Sequence, residues 1–584
     1  MYSRFFRWAT DRLIEDGVLA FITNRSFIES RTFDGFRKMV AQDFNEIWLV
    51  DLGGDVRANP KLSGTKHNVF GIQTGVAICY LVRKKGVEGC TIRYVRRPED
   101  ETAEDKLSWL GGADLKSLNF GTIKPDVRND WLSQREKSEW DDFLPLADKK
   151  TKAATVRNDE KALFKFFTLG VVTARDDWVY AETDIEISNR LNWFIAAYEK
   201  ERKRLPAGSR AKRRDTIILP EKDSTDSIKF TRALKDDLGA NTPFSYEPTR
   251  NRNSLYRPFD LRRMHYWSRL NEMPYQTERA FPDAEPYPNI LISGQPAAKP
   301  FQTFACEWVP SYDTLEKTEC LPRYRYTKSG ERVDNITDWA VAQFVGNYSQ
   351  SSPSLLGEGD HPQDGGGAAA LKATPTASAP PSSDAVAPAA TSPSKLREDL
   401  GITKDAIFVY CYAVLHDPLY REKYALNLKR EFPRIPFYPD FDKWVEWGEA
   451  LLKLHIDYEK VKPAKLKRVD TPAPKRAEET HPKPKLKSDA ALGVIVIDED
   501  TQLTGVPLQA WEYRLGNRSA IDWVLDQHKE KTPRDPTIRE KFNTYRFADY
   551  KESCIELLGR VVTVSVETVT ITEAMKSLDR SGWA

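Results

Sequence analysis

The 584-residue sequence predicts an α/β fold, part of a doubly wound sheet, followed by mixed α+β domains with two disordered linkers. Three observations predict it. Residues 17–54 show a strand–helix–strand pattern, later segments change between helical and β-like periodicity, and two stretches are rich in Pro, Ser, Ala or Lys. Because a single core rarely grows beyond about 300 residues, we expect several domains.

The strand–helix–strand unit is the basis of the first domain. Residues 18–22 form a short apolar run, apolar side chains recur at helical spacing over residues 33–44, and residues 47–52 form a second run. The connection is long enough for a parallel crossover. Since ligand sites of such sheets lie at the carboxyl ends of the strands, residues 23–24 and 51–54 are expected on a functional rim.

The remaining elements follow from periodicity and local signals. Helices are predicted at residues 1–15, 187–204, 403–415, 420–432, 443–458 and 519–528, with Thr403 as an N-cap. The β-like runs are residues 69–82, 91–96, 290–292, 301–305, 494–497 and 561–566. Residues 349–394 contain almost no large apolar side chains and predict a flexible linker, and the Lys- and Pro-rich residues 461–487 predict a second linker or long loop.

Composition and missing motifs exclude several classes of protein. The 88 basic and 86 acidic residues nearly cancel, so only local clusters can indicate nucleic acid. The six cysteines form no C-x-x-C pair and the seven histidines are dispersed, which predicts neither a disulfide framework nor a metal site. No Walker-type phosphate loop, dinucleotide fingerprint, H-E-x-x-H or G-x-S-x-G motif is present. The absence of a signal peptide or membrane-length apolar stretch predicts a cytoplasmic protein.

Residues 246–269 have the most unusual composition in the chain. Six arginines alternate there with five aromatic residues. Arginine neutralises phosphates and grips guanine, and aromatic rings stack on bases, so the cluster suits nucleic acid. The alternative is an ordinary domain surface on which arginines pack against aromatic faces by cation–π contact. Composition alone leaves both interpretations open.

Several long segments, taken in order, resemble the C-terminal half of type ISP restriction–modification enzymes. These segments are RFFRWATDRLIEDGVLAFITNRSFIESRTFDGFRK, DLGGDVRANPKLSGTKHNVFGIQTGVAICYLVRKK, GVVTARDDWVY, LYRPFDLRRMHYW, IFVYCYAVLHDPLYREKYALNLKREFPRIP, LHIDYE and GVPLQAWEYRLGNRSAIDWVLDQH. The first two resemble the end of a gamma-class adenine-N6 DNA methyltransferase domain, the next two the target recognition region, and the last three the C-terminal specificity domain.

The resemblance implies a division of the chain into seven parts. These are a methyltransferase-like part (1–98), a connecting region (99–160), a target recognition region (161–348), a linker (349–397), the helical part of the specificity domain (398–460), a linker or loop (461–490) and the last part of that domain (491–584). The implied function is recognition of a DNA sequence within an enzyme that methylates adenine N6 with S-adenosylmethionine.

Two motifs of the family are not found in this chain: the Gly-rich loop for S-adenosylmethionine and the Asn-Pro-Pro-Tyr tetrapeptide. The chain alone is therefore expected to bind no cofactor and to be inactive as a methyltransferase. Its expected partners are double-stranded DNA and a separately encoded N-terminal half with nuclease, helicase and methyltransferase parts. The alternatives are a non-catalytic DNA- or partner-binding protein and a truncated remnant without independent function.

The resemblance also implies site residues. Phe70 stands where the gamma-class enzymes place an aromatic ring against the flipped base, although it is equally compatible with a core position at the start of a strand. Arg57 and Lys66 are expected to follow the phosphate backbone nearby. The other expected DNA-binding residues are Thr173, Arg175, Arg250, Arg252, Arg257, Arg262, Tyr266 and Trp267.

Overall fold

The computed structural model describes residues 2–55, 66–98, 101–114, 118–126, 129–132, 139–205, 208, 228–281, 286–350, 401–471, 481–578 and 580. Contacts divide the chain into two compact units, Met1–Asp141 (unit 1) and Asp142–Ala584 (unit 2). The first predicted linker, residues 349–397, lies outside the described residues from position 351 onward. Among the described helices, none has the length and apolar character required to cross a bilayer.

Unit 1 is a five-stranded mixed sheet with helices. Its strands are β1 (Gly17–Asn24), β2 (Glu46–Gly53), β3 (Val76–Arg83), β4 (Thr91–Arg96) and β5 (Gly121–Ile123), in the order β1-β3-β2-β4-β5. Its helices are α1 (Tyr2–Thr10), α2 (Ser26–Glu29), α3 (Asp34–Asp43) and α4 (Ala103–Gly111). The predicted strand–helix–strand order is confirmed. β5 lies beyond the predicted boundary at residue 98 and still belongs to this sheet.

The strand directions agree with a parallel crossover from β1 to β2. β3 pairs antiparallel with both β1 and β2, so β1 and β2 run parallel with β3 between them, and β2 also pairs parallel with β4. The predicted β run 69–82 is therefore too long, since the strand begins only at Val76. Buried apolar side chains from α1, α2, α3 and the central strands form the core of the unit.

Unit 2 contains helices and several small sheets. The helices are α5 (Glu139–Asp142, at the boundary), α6 (Lys149–Ala153), α7 (Asp176–Val179), α8 (Asp184–Arg204), α9 (Arg232–Gly239), α10 (Asp338–Gln350), α11 (Lys404–His416), α12 (Pro418–Lys423), α13 (Ala425–Arg430), α14 (Phe441–Ile456), α15 (Ala520–Gln527) and α16 (Phe547–Lys576). The Thr403 hydroxyl accepts a hydrogen bond from the Ala406 amide, which confirms the predicted N-cap of α11.

The strands of unit 2 are mostly short. They are β6 (Leu144–Pro145), β7 (Thr168–Leu169), β8 (Tyr180–Ala181), β9 (Asn251–Arg257), β10 (Asp260–His265), β11 (Asn289–Ile292), β12 (Thr303–Cys306), β13 (Val309–Pro310), β14 (Glu319–Pro322), β15 (Tyr324–Tyr326), β16 (Arg332–Asp334), β17 (Arg434–Ile435), β18 (Lys467–Asp470), β19 (Pro484–Asp489), β20 (Val494–Asp498), β21 (Thr501–Thr504), β22 (Arg514–Leu515) and β23 (Arg518–Ser519). Three four-stranded sheets have the orders β13-β9-β10-β8, β12-β11-β14-β7 and β18-β21-β20-β19.

One hydrophobic core joins regions that the sequence analysis assigned to separate domains. The ring of Phe259 packs against Phe304, Tyr458 and Tyr513, with centroid distances of 5.1, 5.3 and 6.4 Å. The predicted target recognition region and specificity domain therefore share a core in unit 2.

Two predictions in this unit are wrong. Residues 461–490 are not simply a linker, because β18 and β19 are formed within them, although residues 472–480 lie outside the described part. The β-like run 561–566 belongs to the 30-residue helix α16. Val561, Val562 and Val564 are at most 1% exposed there, so tertiary burial outweighs the β-propensity of branched side chains.

Candidate nucleic-acid interface

A buried ion pair holds the ends of β1 and β2 in unit 1. The Arg25 guanidinium donates from Nε and Nη2 to the two carboxylate oxygens of Asp51, each at 2.8 Å, and the two side chains are 3% and 0% exposed. The Tyr94 hydroxyl donates to the same carboxylate at 2.8 Å. Burial and the nearby Asp51 charge raise the pKa of Tyr94, so this hydroxyl keeps its proton.

The loop after residue 65 is attached to this rim by Asn68. The buried Asn68 amide donates to the carbonyls of Gly54 (3.1 Å) and Thr74 (2.7 Å), and its oxygen accepts from the Phe70 amide. Gly54 has φ +73°, and a Cβ there would lie 2.7 Å from the His67 carbonyl oxygen, so this close approach requires glycine.

The same loop presents Phe70 to the surface. Its side chain is 59% exposed, and β3 begins only at Val76, so the alternative that Phe70 is a core residue at the start of a strand is wrong. Lys66 is also exposed. Arg57 lies outside the described residues. Two of the three residues predicted in this unit, Lys66 and Phe70, are thus accessible, and they lie on a loop that is held in place by hydrogen bonds.

In unit 2, the arginine–aromatic cluster forms the antiparallel hairpin of β9 and β10 and its flanks. Four guanidinium groups lie over aromatic rings at 4.1–4.7 Å from the centroid. The pairs are Arg250 with Trp267, Arg252 with Tyr266, Arg257 with Tyr256 and Arg262 with Tyr256. This geometry is that of the cation–π alternative. The four arginines and Trp267 remain partly exposed.

Three predicted DNA-binding residues are enclosed instead. Thr173 is 1% exposed and its hydroxyl donates to Asp176. Arg175 is 7% exposed, and its guanidinium donates to Leu270, Thr231 and Glu272. Tyr266 is 6% exposed, with its hydroxyl 2.7 Å from that of Thr277. These internal hydrogen bonds give the three side chains a structural role.

Unit 2 also contains a cleft of about 1470 Å³. Segments 171–182, 256–262, 299–313 and 515–545 contribute to its walls. The basic lining residues are Arg175, Arg190, Lys229, Arg257, Arg262, Lys299, Arg518, Lys529, Lys531 and Arg534. The acidic lining residues are Asp176, Asp177, Glu182, Glu186, Asp313, Asp526 and Asp535. The lining therefore has a surplus of positive charge.

The cleft brings some of the predicted residues together and leaves others out. Thr173, Arg175, Arg257 and Arg262 lie in its lining, whereas Arg250, Arg252, Tyr266 and Trp267 do not. Arg262 donates from Nε to both oxygens of Asp260 at 3.0 Å, which neutralises part of its charge. Residues 171–182 and the β9–β10 hairpin thus both contribute to the wall of the cleft.

Three cations at this cleft are not among the residues predicted from the sequence. Arg518, Lys529 and Lys531 surround the single carboxylate of Asp526, at 2.9, 3.3 and 3.7 Å. Burial alone would raise the pKa of Asp526, but the charges of Lys531 and Arg518 hold it below its ordinary value. Because one carboxylate faces three cations, the group has unbalanced positive charge. The basic segment HKEKTPR at residues 528–534 was the available sequence signal.

No metal centre accompanies these surfaces in the described residues. No group of three or more His, Cys, Asp or Glu side chains in the described segments is arranged to hold an ion. All six cysteines have free thiols. The surplus of positive charge in the cleft lining is suited to binding a polyanion.

Comparisons with known proteins identify the family of this chain. The family profile of the Type ISP C-terminal specificity domain matches residues 162–557. A solved DrdV–DNA complex is 44% identical over 99% of this chain and 52% of that one (TM-score 0.76). A nuclease-deletion mutant of the Type ISP enzyme LlaGI, solved with a DNA substrate mimic, is 25% identical over 98% and 40% of the two chains (TM-score 0.68).

A third structure, the ATP-dependent Type ISP enzyme LlaBIII bound to DNA, shares the fold at 22% identity over 100% of this chain and 34% of that one (TM-score 0.70). The chain thus spans about half or less of the length of these solved proteins. No curated protein matches the sequence. The profile match covers more than half of the chain, and on this basis the chain belongs to the Type ISP C-terminal specificity domain family.

Proposed function

We propose that this chain is the DNA sequence-recognition part of a type ISP restriction–modification enzyme whose complete form methylates adenine N6 with S-adenosylmethionine. The observation that carries the proposal is 44% identity, over 99% of the chain, with a protein solved as a DNA complex. The family membership and the cation-lined cleft of unit 2 support it.

The cleft suits the sugar–phosphate backbone of a duplex. Lys529 and Lys531 have side chains that are 49% and 54% exposed, so their charges are accessible to a phosphate. Bound phosphates would release condensed counterions, which makes affinity fall steeply with salt. Arg257, partly exposed and stacked on Tyr256, is the arginine of the cluster best placed in this cleft to reach a base edge.

The test of this proposal begins with duplexes selected by the chain from a random pool. The Lys529→Ala/Lys531→Ala variant is expected to weaken binding to every selected duplex and to reduce the salt slope of log K by about 1.8, since each lost phosphate contact removes about 0.9. The measurement is fluorescence anisotropy over a series of salt concentrations.

The matched control is Lys328→Ala/Lys453→Ala, which removes the same charge from exposed positions outside the cleft lining. The control should bind as the unmodified chain does. Equal losses in both variants would contradict the placement of DNA in the cleft. Failure to select any duplex would contradict the proposed function itself.

In unit 1 we propose that Phe70 contacts the flipped adenine and that Lys66 and Arg57 follow the adjacent phosphates. An exposed ring on a hydrogen-bonded loop can stack on an extruded base and recover part of its unstacking energy. The described contacts of Lys66 and Phe70 leave their side chains available for this role.

The partner that we propose is the N-terminal half of the enzyme. β1 is an edge strand of its sheet, and no described strand pairs with its outer side. The side chains of Val18 and Ile22 on β1 are 62% and 57% exposed, and those of Phe5 and Trp8 on α1 are 56% and 57% exposed. Exposed apolar side chains on an edge strand and on the helix packed against it are typical of a surface that another polypeptide covers.

Ile22→Lys should therefore prevent co-purification with the co-expressed N-terminal half, because a lysine charge would be buried at the joint. Ile185→Lys, at a 73% exposed position in unit 2, is the matched control and should leave co-purification intact. Equal co-purification of both variants would place the joint elsewhere.

S-adenosylmethionine should raise the melting temperature of the assembled halves and leave that of this chain unchanged.

A further inference from the structure

The sheet β18-β21-β20-β19 has one buried and one exposed face. Leu486, Ile495, Ile497 and Leu503 are at most 3% exposed and form the buried face. The strand register places Lys487, Val496, Gln502 and Val469 in one row across the other face, and Asp489, Val494, Thr504 and Lys467 in the next. None of the side chains in these two rows is buried.

Three lysines mark the two sides of this exposed face. Lys485 and Lys487 lie on β19 at one edge, and Lys467 lies on β18 at the other. All three are exposed, and no ion pair joins them to a carboxylate among the described residues. Neighbouring Arg468, in contrast, is bound by Asp470 and Glu552. The lysine charges are therefore free to interact with a ligand.

The spacing of the lysines is set by the sheet. β18 and β19 are three strand intervals apart, which corresponds to about 14 Å. Between them lie the uncharged side chains of Val496 and Gln502. The one carboxylate in the two rows, Asp489, accepts hydrogen bonds from the amides of Ala491 and Leu492 and thereby closes the β19–β20 turn. Two positive edges thus border a neutral centre.

We propose that this surface, the lysine face, binds the phosphodiester backbone of duplex DNA that flanks the recognition sequence. The inference rests on the proposed function. A duplex groove is about 12 Å wide, so flexible lysines about 14 Å apart reach phosphates on both of its sides. The two described rows contain no aromatic side chain for stacking, which favours a duplex over a single strand.

The competing explanation is that the lysines only protect exposed strand edges from aggregation. That explanation predicts no effect on DNA binding. The flanking-DNA contact predicts that affinity depends on duplex length outside the recognition sequence. A selected recognition duplex is therefore compared with the same duplex extended by about 10 base pairs on each side, about one helical turn.

The unmodified chain should bind the extended duplex more tightly, with a salt slope steeper by about 1.8, so that the gain falls about 10-fold between about 50 and about 200 mM salt. Lys467→Ala/Lys487→Ala should lose this gain and keep its affinity for the short duplex. Lys328→Ala/Lys453→Ala, the charge-matched control, should keep both.

Each contrary result has a separate meaning. Binding of the short duplex without a gain from flanking DNA, or a gain that survives Lys467→Ala/Lys487→Ala, would overturn the role of the lysine face alone. Loss of binding to phosphatidylserine vesicles in that variant, with the gain unchanged, would assign the face to an anionic membrane surface and also overturn the proposal. Absence of binding to every duplex would overturn this inference together with the proposed function.

Discussion

Replacing Asp51 with alanine is expected to lower the free energy of unfolding of unit 1 by about 3–5 kcal/mol, because the change leaves the Arg25 guanidinium buried without its main partner. The Tyr94 hydroxyl would lose its acceptor at the same time. Hydrogen exchange of the β1 and β2 amides, followed by mass spectrometry, measures this loss within unit 1. The loop that carries Phe70 adjoins the same rim.

The control for Asp51→Ala is an exposed ion pair in the same unit. Glu15 pairs with Lys85, and the side chains are 67% and 66% exposed. Glu15→Ala should leave exchange in β1 and β2 unchanged, since solvent screens such pairs. If Asp51→Ala exchanged no faster than Glu15→Ala, the buried ion pair would not hold these strand ends.

Gly448→Ala is expected to destabilise unit 2 by about 2–3 kcal/mol through overpacking. Gly448 lies on α14 where this helix crosses α11, and an added Cβ would lie 2.3 Å from the Val409 carbonyl oxygen and 2.7 Å from Val409 Cγ1. The atoms in the way include backbone, which cannot move without shifting α11. Urea denaturation followed by far-ultraviolet circular dichroism measures the effect.

Gly346→Ala is the matched control. Gly346 also lies in a helix of unit 2, α10, and a Cβ there would meet no atom within 4 Å. Because alanine has a higher helix propensity, this change should stabilise the protein by up to about 1 kcal/mol. Equal effects of the two substitutions would show that the packing of α11 against α14 tolerates a methyl group.

Local signals predicted the elements whose packing agrees with their own sequence preference. The helix at residues 187–204 was predicted from its periodicity and is found as Asp184–Arg204, with Thr183 and Glu186 forming a capping box. β1 and β2 were predicted from short apolar runs between turn residues. In each case, residues close in sequence carry the information.

Elements that depend on distant contacts were not predictable in this way. The valines of residues 561–566 favour a strand locally, but the core of unit 2 surrounds them as part of a helix. The lysines of β18 and β19 favour a linker, yet these strands pair with β20 and β21. The strand partners lie up to about 37 residues away in sequence, for example Lys467 and Thr504.

The sequence predicted which types of residue form the candidate site better than it predicted the individual residues. Arginines and aromatic residues identified the β9–β10 hairpin, but sequence could not show that Thr173, Arg175 and Tyr266 are buried. The partners of Arg175, for example, come from the distant residues Thr231, Leu270 and Glu272. Arg518, Lys529 and Lys531 converge on Asp526 only after the chain folds at β23 and α15. Charge clusters in sequence therefore indicate a surface without its geometry.

DNA binding in the cleft of unit 2 can be measured by lysine footprinting. The intact chain is acetylated with and without a selected duplex, and modified lysines are measured by mass spectrometry. DNA bound in the cleft should protect Lys299, Lys529 and Lys531, while Lys328 and Lys453 should be modified at unchanged rates. A duplex that binds the chain but leaves the three cleft lysines fully reactive would show that DNA binds outside the cleft.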